Sequence, residues 1–441
     1  MNSKGNIMEE KFLPVAAKIG GQRHLLALRD GIVMVMPLLI LGAFSMIIAE
    51  FPLKAYLDFM ASTFGDNWNA FEGVIMNATY GIVALVACYG VSSSLVNSYK
   101  LDGTPAGIVA LSAFFITNII GSFKDGEATV EAWAANTFTA EFLFTALIVA
   151  LVSGEIYRFL VQKNFTIKLP KSVPPTVSRQ FVALLPGIVI ILFFLIVRGL
   201  FSLTSWGSFP AFVTTVISIP LRGFGTSYIG TLMAVLAEHF LWSLGIHGSA
   251  VIIFPIFEPM WIVNLQENLA NAAKHIVTQP FYENGVWIGG SGATLPAVVF
   301  MLVFAKSRLL KQVGRIAIGP GLFNINEPVT FGLPVVLNPF LMIPFIAAPA
   351  IVMTIQYLGT AIGVFPLCNL MVPWTTPFFV SGFLMTKSLM GIVAQAISFA
   401  VAFLVWLPFI SIWDKKNYEL EMADRNEDVK TPDVEKEAIG V

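Results

Sequence analysis

Apolar runs long enough to cross a bilayer recur along this chain, and lipid tolerates only backbones that satisfy their own polar groups, as helices or closed barrels do. A helical span needs about 20 apolar residues. Residues 31–48, 74–95, 107–123, 138–159 and 181–203 meet that condition before the middle of the chain, and 392–412 meets it near the end. Charged residues make up 12% of the 441 and hydrophobic ones 56%, against about 25% charged in an ordinary soluble domain. The fold class expected is therefore an all-α integral membrane protein. A net charge of -1 offers nothing to nucleic acid, and Cys88 and Cys368 sit apart in apolar surroundings, without a disulfide framework or a metal motif. The opening segment carries charge on both sides of a weak apolar patch, unlike a cleavable signal peptide, so the first span is expected to stay as an anchor.

Lys4, Lys11, Lys18, Arg23 and Arg29 precede the first span and place the N-terminus in the cytoplasm. The loops alternate in charge through the fifth span. Beyond it, 226–257 is too long for one comfortable span and is interrupted at Gly245-Ile246-His247-Gly248. The segment after it runs into Lys306, Arg308, Lys311 and Arg315, which belong in the cytoplasm. A single crossing of 226–257 would send those cations outside, so this stretch either enters and turns back or crosses as a broken pair. Similar interruptions mark GLFNINEPVTFGLPVV and NLMVPWTTPFFVSGFLM. Irregular backbone at membrane depth survives only where protein or a water-filled cavity satisfies it. The interrupted segments predict a polar cavity in the second half, and such breaks mark the binding site of a transporter. Pro170, Pro174 and Pro175 suit a cytoplasmic connector along the membrane surface. The organisation expected is a first half, 1–207, a second half, 208–417, and a disordered tail, 418–441.

Glu327 leads the candidates. An ionisable residue at the centre of a membrane helix costs about 2.5–3.5 kcal/mol on insertion scales, so it needs a partner or a wet site. One reading is a structural carboxylate that accepts backbone N–H groups; the other is a ligand contact. Asn324 and Asn326 beside it favour a polyol. His247 lies between Gly245 and Gly248, which let a ligand approach the backbone; its bland alternative is a satisfied core histidine. Glu238 and His239 are expected to pair with each other or with a neighbouring helix. Two histidines eight apart without a third ligand argue against zinc. The GGSGAT run, with Gly290, Ser291 and Gly292, lacks the lysine of a phosphate loop and fits either close helix packing or contact with a sugar. Trp242 and Trp374 are either interfacial anchors or faces that stack on a pyranose ring.

Taken in order, LPVAAKIGGQRHLLALRDG, KLPKSVPPTVSRQFVALLPG, LWSLGIHG, GGSGAT, GLFNINEPVTFGLPVVLNP and PWTTP make the chain resemble component IIC of a sugar phosphotransferase system permease, in the lactose/cellobiose/diacetylchitobiose group. The resemblance covers about residues 12–413; Gln180 departs from the Ser often found there. It implies about ten transmembrane helices with re-entrant hairpins, a homodimer formed through the N-terminal half, and a sugar held in the C-terminal half. It also implies that Glu327 and His247 are the catalytic pair nearest the hydroxyl to be phosphorylated. Asn326 and the GGSGAT residues become its hydrogen-bond partners, and Trp374 a stacking face. The expected function is translocation of a β-linked disaccharide of the cellobiose or diacetylchitobiose type across a bacterial cell membrane, both termini cytoplasmic. A soluble IIB carrying phosphocysteine donates phosphate and IIA recharges it. No cofactor is expected, and the subunit is not an enzyme by itself. The residues leave open an ion-coupled secondary sugar transporter with Glu327 as proton carrier and, more distantly, an intramembrane hydrolase using Glu327 and His247.

Overall fold

The computed structural model describes residues 13–51, 53–125, 128–167, 170, 175–271 and 273–430. Expectations resting on Lys4, Lys11, Lys171, Pro174 or residues 431–441 lie outside these residues. Among the described residues, seven helices are long and apolar enough to cross a membrane, and Gly103–Thr117 and Phe209–Gly225 are shorter apolar helices. The ten crossings implied by resemblance are thus not all full-length helices.

The first half is held by close backbone approach. The first long helix, Arg23–Ala49, crosses Val83–Asn97 where Gly31 meets Gly90; a Cβ on Gly90 would lie 3.0 Å from the Gly31 Cα. Lipid offers no hydrophobic drive for helices to associate, so van der Waals contact of this kind must supply it. Ile32, Val35, Leu39, Val91, Ala110 and Phe114 fill the core around that crossing. The helix expected over 107–123 instead ends at Thr117. Arg198, from the helix Pro175–Ser202, donates to the carbonyls of Ile116 at 2.8 Å and Asn118 at 2.7 Å, satisfying the open acceptors of a helix end. The chain then forms an antiparallel hairpin of Gly121–Asp125 and Ala128–Ala132. Phe209–Gly225 was not anticipated as a helix. Its Arg222 is paired with Glu267 at 2.6 Å and donates to Asn264 at 3.0 Å.

In the second half the helix Tyr228–Ser243 breaks, and π-helical turns over Ser249–Phe257 lead into Glu258–Asn271. A straight helix would hold residues 238 and 249 about 16 Å apart. The Ser249 hydroxyl instead lies 2.5 Å from Glu238, so the chain reverses direction here, as both routes that the charge pattern allows require. Gly245 makes the turn with φ +81, and a side chain on Gly248 would overlap the Glu238 carbonyl. The next apolar stretch is helical only over Leu295–Val303, about 14 Å against a hydrocarbon core of about 30 Å. Arg308–Leu322 follows, burying Leu310, Val313 and Ala317 on one face and exposing Arg308, Lys311 and Arg315. Glu327–Gly332, Pro339–Ala361, Val380–Thr386 and Leu389–Lys430 complete the half.

Disorder from residue 418 is not what the structure shows: the last helix continues to Lys430. Its acidic residues cap another helix. Asp414 accepts from the N–H groups of Lys306 and Ser307, both at 2.9 Å, and Glu421 from those of Arg308 at 2.8 Å and Leu309 at 3.0 Å. These amides have no partner inside their own helix.

Candidate functional site

The interrupted segments of the second half converge on one cavity of about 260 Å³, just below the usual range of about 300–1,000 Å³ for small-molecule sites. Its construction begins at Glu238, which is 0% exposed. This carboxylate accepts from the hydroxyls of Ser249 at 2.5 Å and Ser291 at 3.0 Å, the indole of Trp287 at 3.4 Å, and the hydroxyl of Tyr282. It thereby joins both limbs of the turned-back hairpin to the GGSGAT loop. His239 is not its main partner. The imidazole Nδ1 lies 3.8 Å from Glu238 but 2.7 Å from the Val235 carbonyl, one turn back in its own helix.

Asn324 forms a second clamp. Its backbone takes φ +61, a left-handed conformation that Asn tolerates better than most residues. Its Oδ1 accepts from the Gly289 N–H at 3.0 Å, and its Nδ2 donates to the Trp374 carbonyl at 2.7 Å. One side chain thus ties the GGSGAT, NINEP and PWTTP segments together. Gly290, at φ +85, lies against them so closely that a Cβ would stand 2.5 Å from the Asn324 carbonyl oxygen and 2.8 Å from the Asn326 Oδ1. Asn326 donates to Thr330 at 2.8 Å.

The expected site residues Glu327, His247, Trp242, Gly290, Ser291, Asn324, Asn326 and Trp374 all line this cavity. Gly292 does not: its carbonyl accepts from the Trp406 indole at 3.0 Å, and a side chain there would overlap the Phe345 ring. For Gly292 the packing alternative describes the placement. Val33, Met36 and Ile40 of the first long helix form an apolar wall opposite the polar segments, and Ser249, Glu258, Glu283 and Trp287 add to the lining. None of these was singled out from sequence as a site residue. Glu258 and Glu283 carried the same signal as Glu327, a carboxylate inside an apolar stretch.

His247 and Glu327 are exposed at one end, whereas Glu258, Glu283, Trp287 and Ser291 are buried. The His247 Nδ1 accepts from the Ala250 N–H at 3.2 Å, so the neutral ring carries its proton on Nε2 as a donor. Its ring centroid is 4.4 Å from that of Trp242. Glu327 opens the short helix before Pro328. Among the described residues, no Lys or Arg lines the cavity, which disfavours an anionic ligand. Flat aromatic faces with carboxylates, amides and hydroxyls suit a neutral polyol. Among the described residues, no group of three or more His, Cys, Asp or Glu is arranged to hold a metal ion.

A family profile described as "Phosphotransferase system, EIIC" matches residues 29–349. The chain is 40% identical to the lichenan permease IIC component of Bacillus subtilis (strain 168), over 96% of each chain. It is 41% identical to the cellobiose-specific EIIC component of the phosphotransferase system of Geobacillus stearothermophilus, over 95% of this chain and 96% of that one. Its fold is similar to the crystal structure of the transporter ChbC, the IIC component of the N,N'-diacetylchitobiose-specific phosphotransferase system. That likeness has a TM-score of 0.89 at 39% identity and covers 94% of this chain and 99% of that one.

The Asn324 clamp is testable without any ligand. Asn324→Gly keeps the left-handed backbone but leaves the Gly289 N–H and Trp374 carbonyl unpaired, at about 1–3 kcal/mol each. The variant should melt at a lower temperature in detergent. A melting temperature equal to wild type would show that the clamp contributes nothing.

Proposed function

Because this chain belongs to the phosphotransferase system EIIC family, we propose that it binds a β-linked disaccharide of the cellobiose or diacetylchitobiose type and presents it to a separate soluble IIB component for phosphorylation. The observation that carries this reading is the convergence of Trp242, Trp374, His247, Glu327, Asn324 and Asn326 on one cation-free cavity. Aromatic rings take the C–H face of a sugar, and the polar groups take its hydroxyls.

In this account Glu327 accepts the hydrogen bond of the hydroxyl to be phosphorylated, and His247 Nε2–H donates to the same region. As the phosphoryl group arrives from IIB, Glu327 takes the hydroxyl proton. General-base help is worth about 10²–10⁴-fold, while a loose phosphoryl-transfer transition state leaves much of the catalysis to positioning. The phosphate comes from IIB, recharged by IIA, so this chain is a transport subunit and not an enzyme alone. The exposed cations Arg308, Lys311 and Arg315 lie on a helix whose start is capped by the last helix. The positive-inside rule puts that end, and both termini, in the bacterial cytoplasm.

The first half serves as a homodimer scaffold surrounded by lipid, and the second half carries the sugar. Leu192, Leu195 and Ile196 expose an apolar face on Pro175–Ser202. A cysteine at Leu192 should trap dimers on oxidation. Trapping only through positions after residue 226 would refute the scaffold assignment.

For the site itself, phosphorylated IIB should transfer phosphate to cellobiose bound by wild type. Glu327→Gln should bind cellobiose nearly as well but phosphorylate it about 10²–10⁴-fold more slowly, and Glu327→Ala should weaken both. A folded Glu327→Gln working at the wild-type rate would reduce Glu327 to a positioning group.

A further inference from the structure

The closed end of the cavity holds acidity that phosphorylation at Glu327 does not use. Glu258 and Glu283 both line it, each 1% exposed. Neither oxygen of Glu258 has a hydrogen-bond partner among the described residues, and the same holds for the Glu283 Oε1, the Gln279 Oε1 and the Asn284 Oδ1. Every one of these atoms is an acceptor. Nearby donors are already committed: the Tyr282 hydroxyl and Trp287 indole to Glu238, the Gln279 amide to Glu283, and the Asn284 amide to the Pro373 carbonyl at 3.3 Å. A buried acceptor without a donor has lost its hydration with nothing in return. A ligand rich in hydroxyls would bring such donors.

We propose that Glu258 and Glu283 form the subsite for the sugar ring that is not phosphorylated, reading its hydroxyls as donors and so selecting among β-disaccharides. The inference rests on the sugar-binding reading above. A disaccharide lying along the cavity places one ring at the exposed end, beside His247 and Glu327, and the other against these two carboxyl groups. A hard cation would also satisfy oxygen acceptors. Against it, the described residues contain no cluster of three or more potential metal ligands among His, Cys, Asp and Glu. A ring rich in hydroxyls offers several donors at once. An acetamido group keeps one N–H donor but sets a carbonyl and a methyl beside the same acceptors, so the floor favours a hydroxyl over it. Rejection of this kind is strong where a site is built to bond a hydroxyl.

The test is calorimetric binding of methyl β-cellobioside and its monodeoxy analogues to the full-length protein in detergent. Removing one hydroxyl from the unphosphorylated ring should weaken wild-type binding about tenfold or more, the equivalent of one well-made hydrogen bond. In Glu258→Ala or Glu283→Ala the same removal should cost less than about threefold, because the receiving oxygens are gone; this is a double-mutant cycle between protein and sugar. The ratio of cellobiose to N,N'-diacetylchitobiose affinity should fall in both variants. Equal deoxygenation penalties in wild type and variants would overturn the subsite. So would coupling confined to the phosphorylated ring, or stabilisation of wild type by sodium or calcium alone with sugar binding dependent on that ion. If the variants do not fold, a wild type indifferent to every deoxygenation of the unphosphorylated ring overturns it equally. Failure of wild type to bind any of these sugars would instead sink the sugar-binding reading itself.

Discussion

The cavity depends on one buried carboxylate. Glu238 is fully enclosed and receives hydrogen bonds from Ser249, Tyr282, Trp287 and Ser291, which come from chain segments 11 to 53 residues away. A charge-bearing group at that depth is tolerable only with such donors around it. The same donors fix where the hairpin turns and where the GGSGAT loop lies. Asn324 extends the connection by joining that loop to the PWTTP segment. Neither segment has regular structure of its own, so side-chain hydrogen bonds stand in for a ladder. Irregular backbone in a membrane protein needs that substitution.

The two halves contribute differently to the lining. Its polar side chains all belong to the second half, while the first contributes only Val33, Met36 and Ile40. A sugar held here would make its hydrogen bonds to second-half side chains and be covered by the first long helix.

Much of this was legible in the chain before any coordinates. The apolar runs marked five of the seven long helices among the described residues, without Ser249–Ala270 and Pro339–Ala361, and Gly245, Gly248 and Pro328 marked breaks. The positive cluster at Lys306 to Arg315 required residues 226–257 to turn back or split. Glu327, His247 and the two asparagines stood out because polar groups in oily stretches need a reason. What stayed hidden depended on partners distant in sequence. The end of Gly103–Thr117 is set by Arg198, some 80 residues away. The acidic tail looked like solvated chain until Asp414 and Glu421 met the open amides near Ser307. Glu238, Glu258 and Glu283 carry the same side chain in similar apolar settings. Only their surroundings separate a carboxylate satisfied by four donors from one with none and one bonded through a single oxygen.

Hydrogen exchange in wild type and Glu238→Gln tests most directly whether this carboxylate builds the site. Glutamine replaces one acceptor oxygen with an NH₂ group that cannot receive the bonds now made there. The account predicts that amides of residues 244–249 and 287–294 lose protection together, while the helix Leu143–Gln162 exchanges as in wild type. Unchanged protection in both segments, or a loss in one without the other, would contradict it.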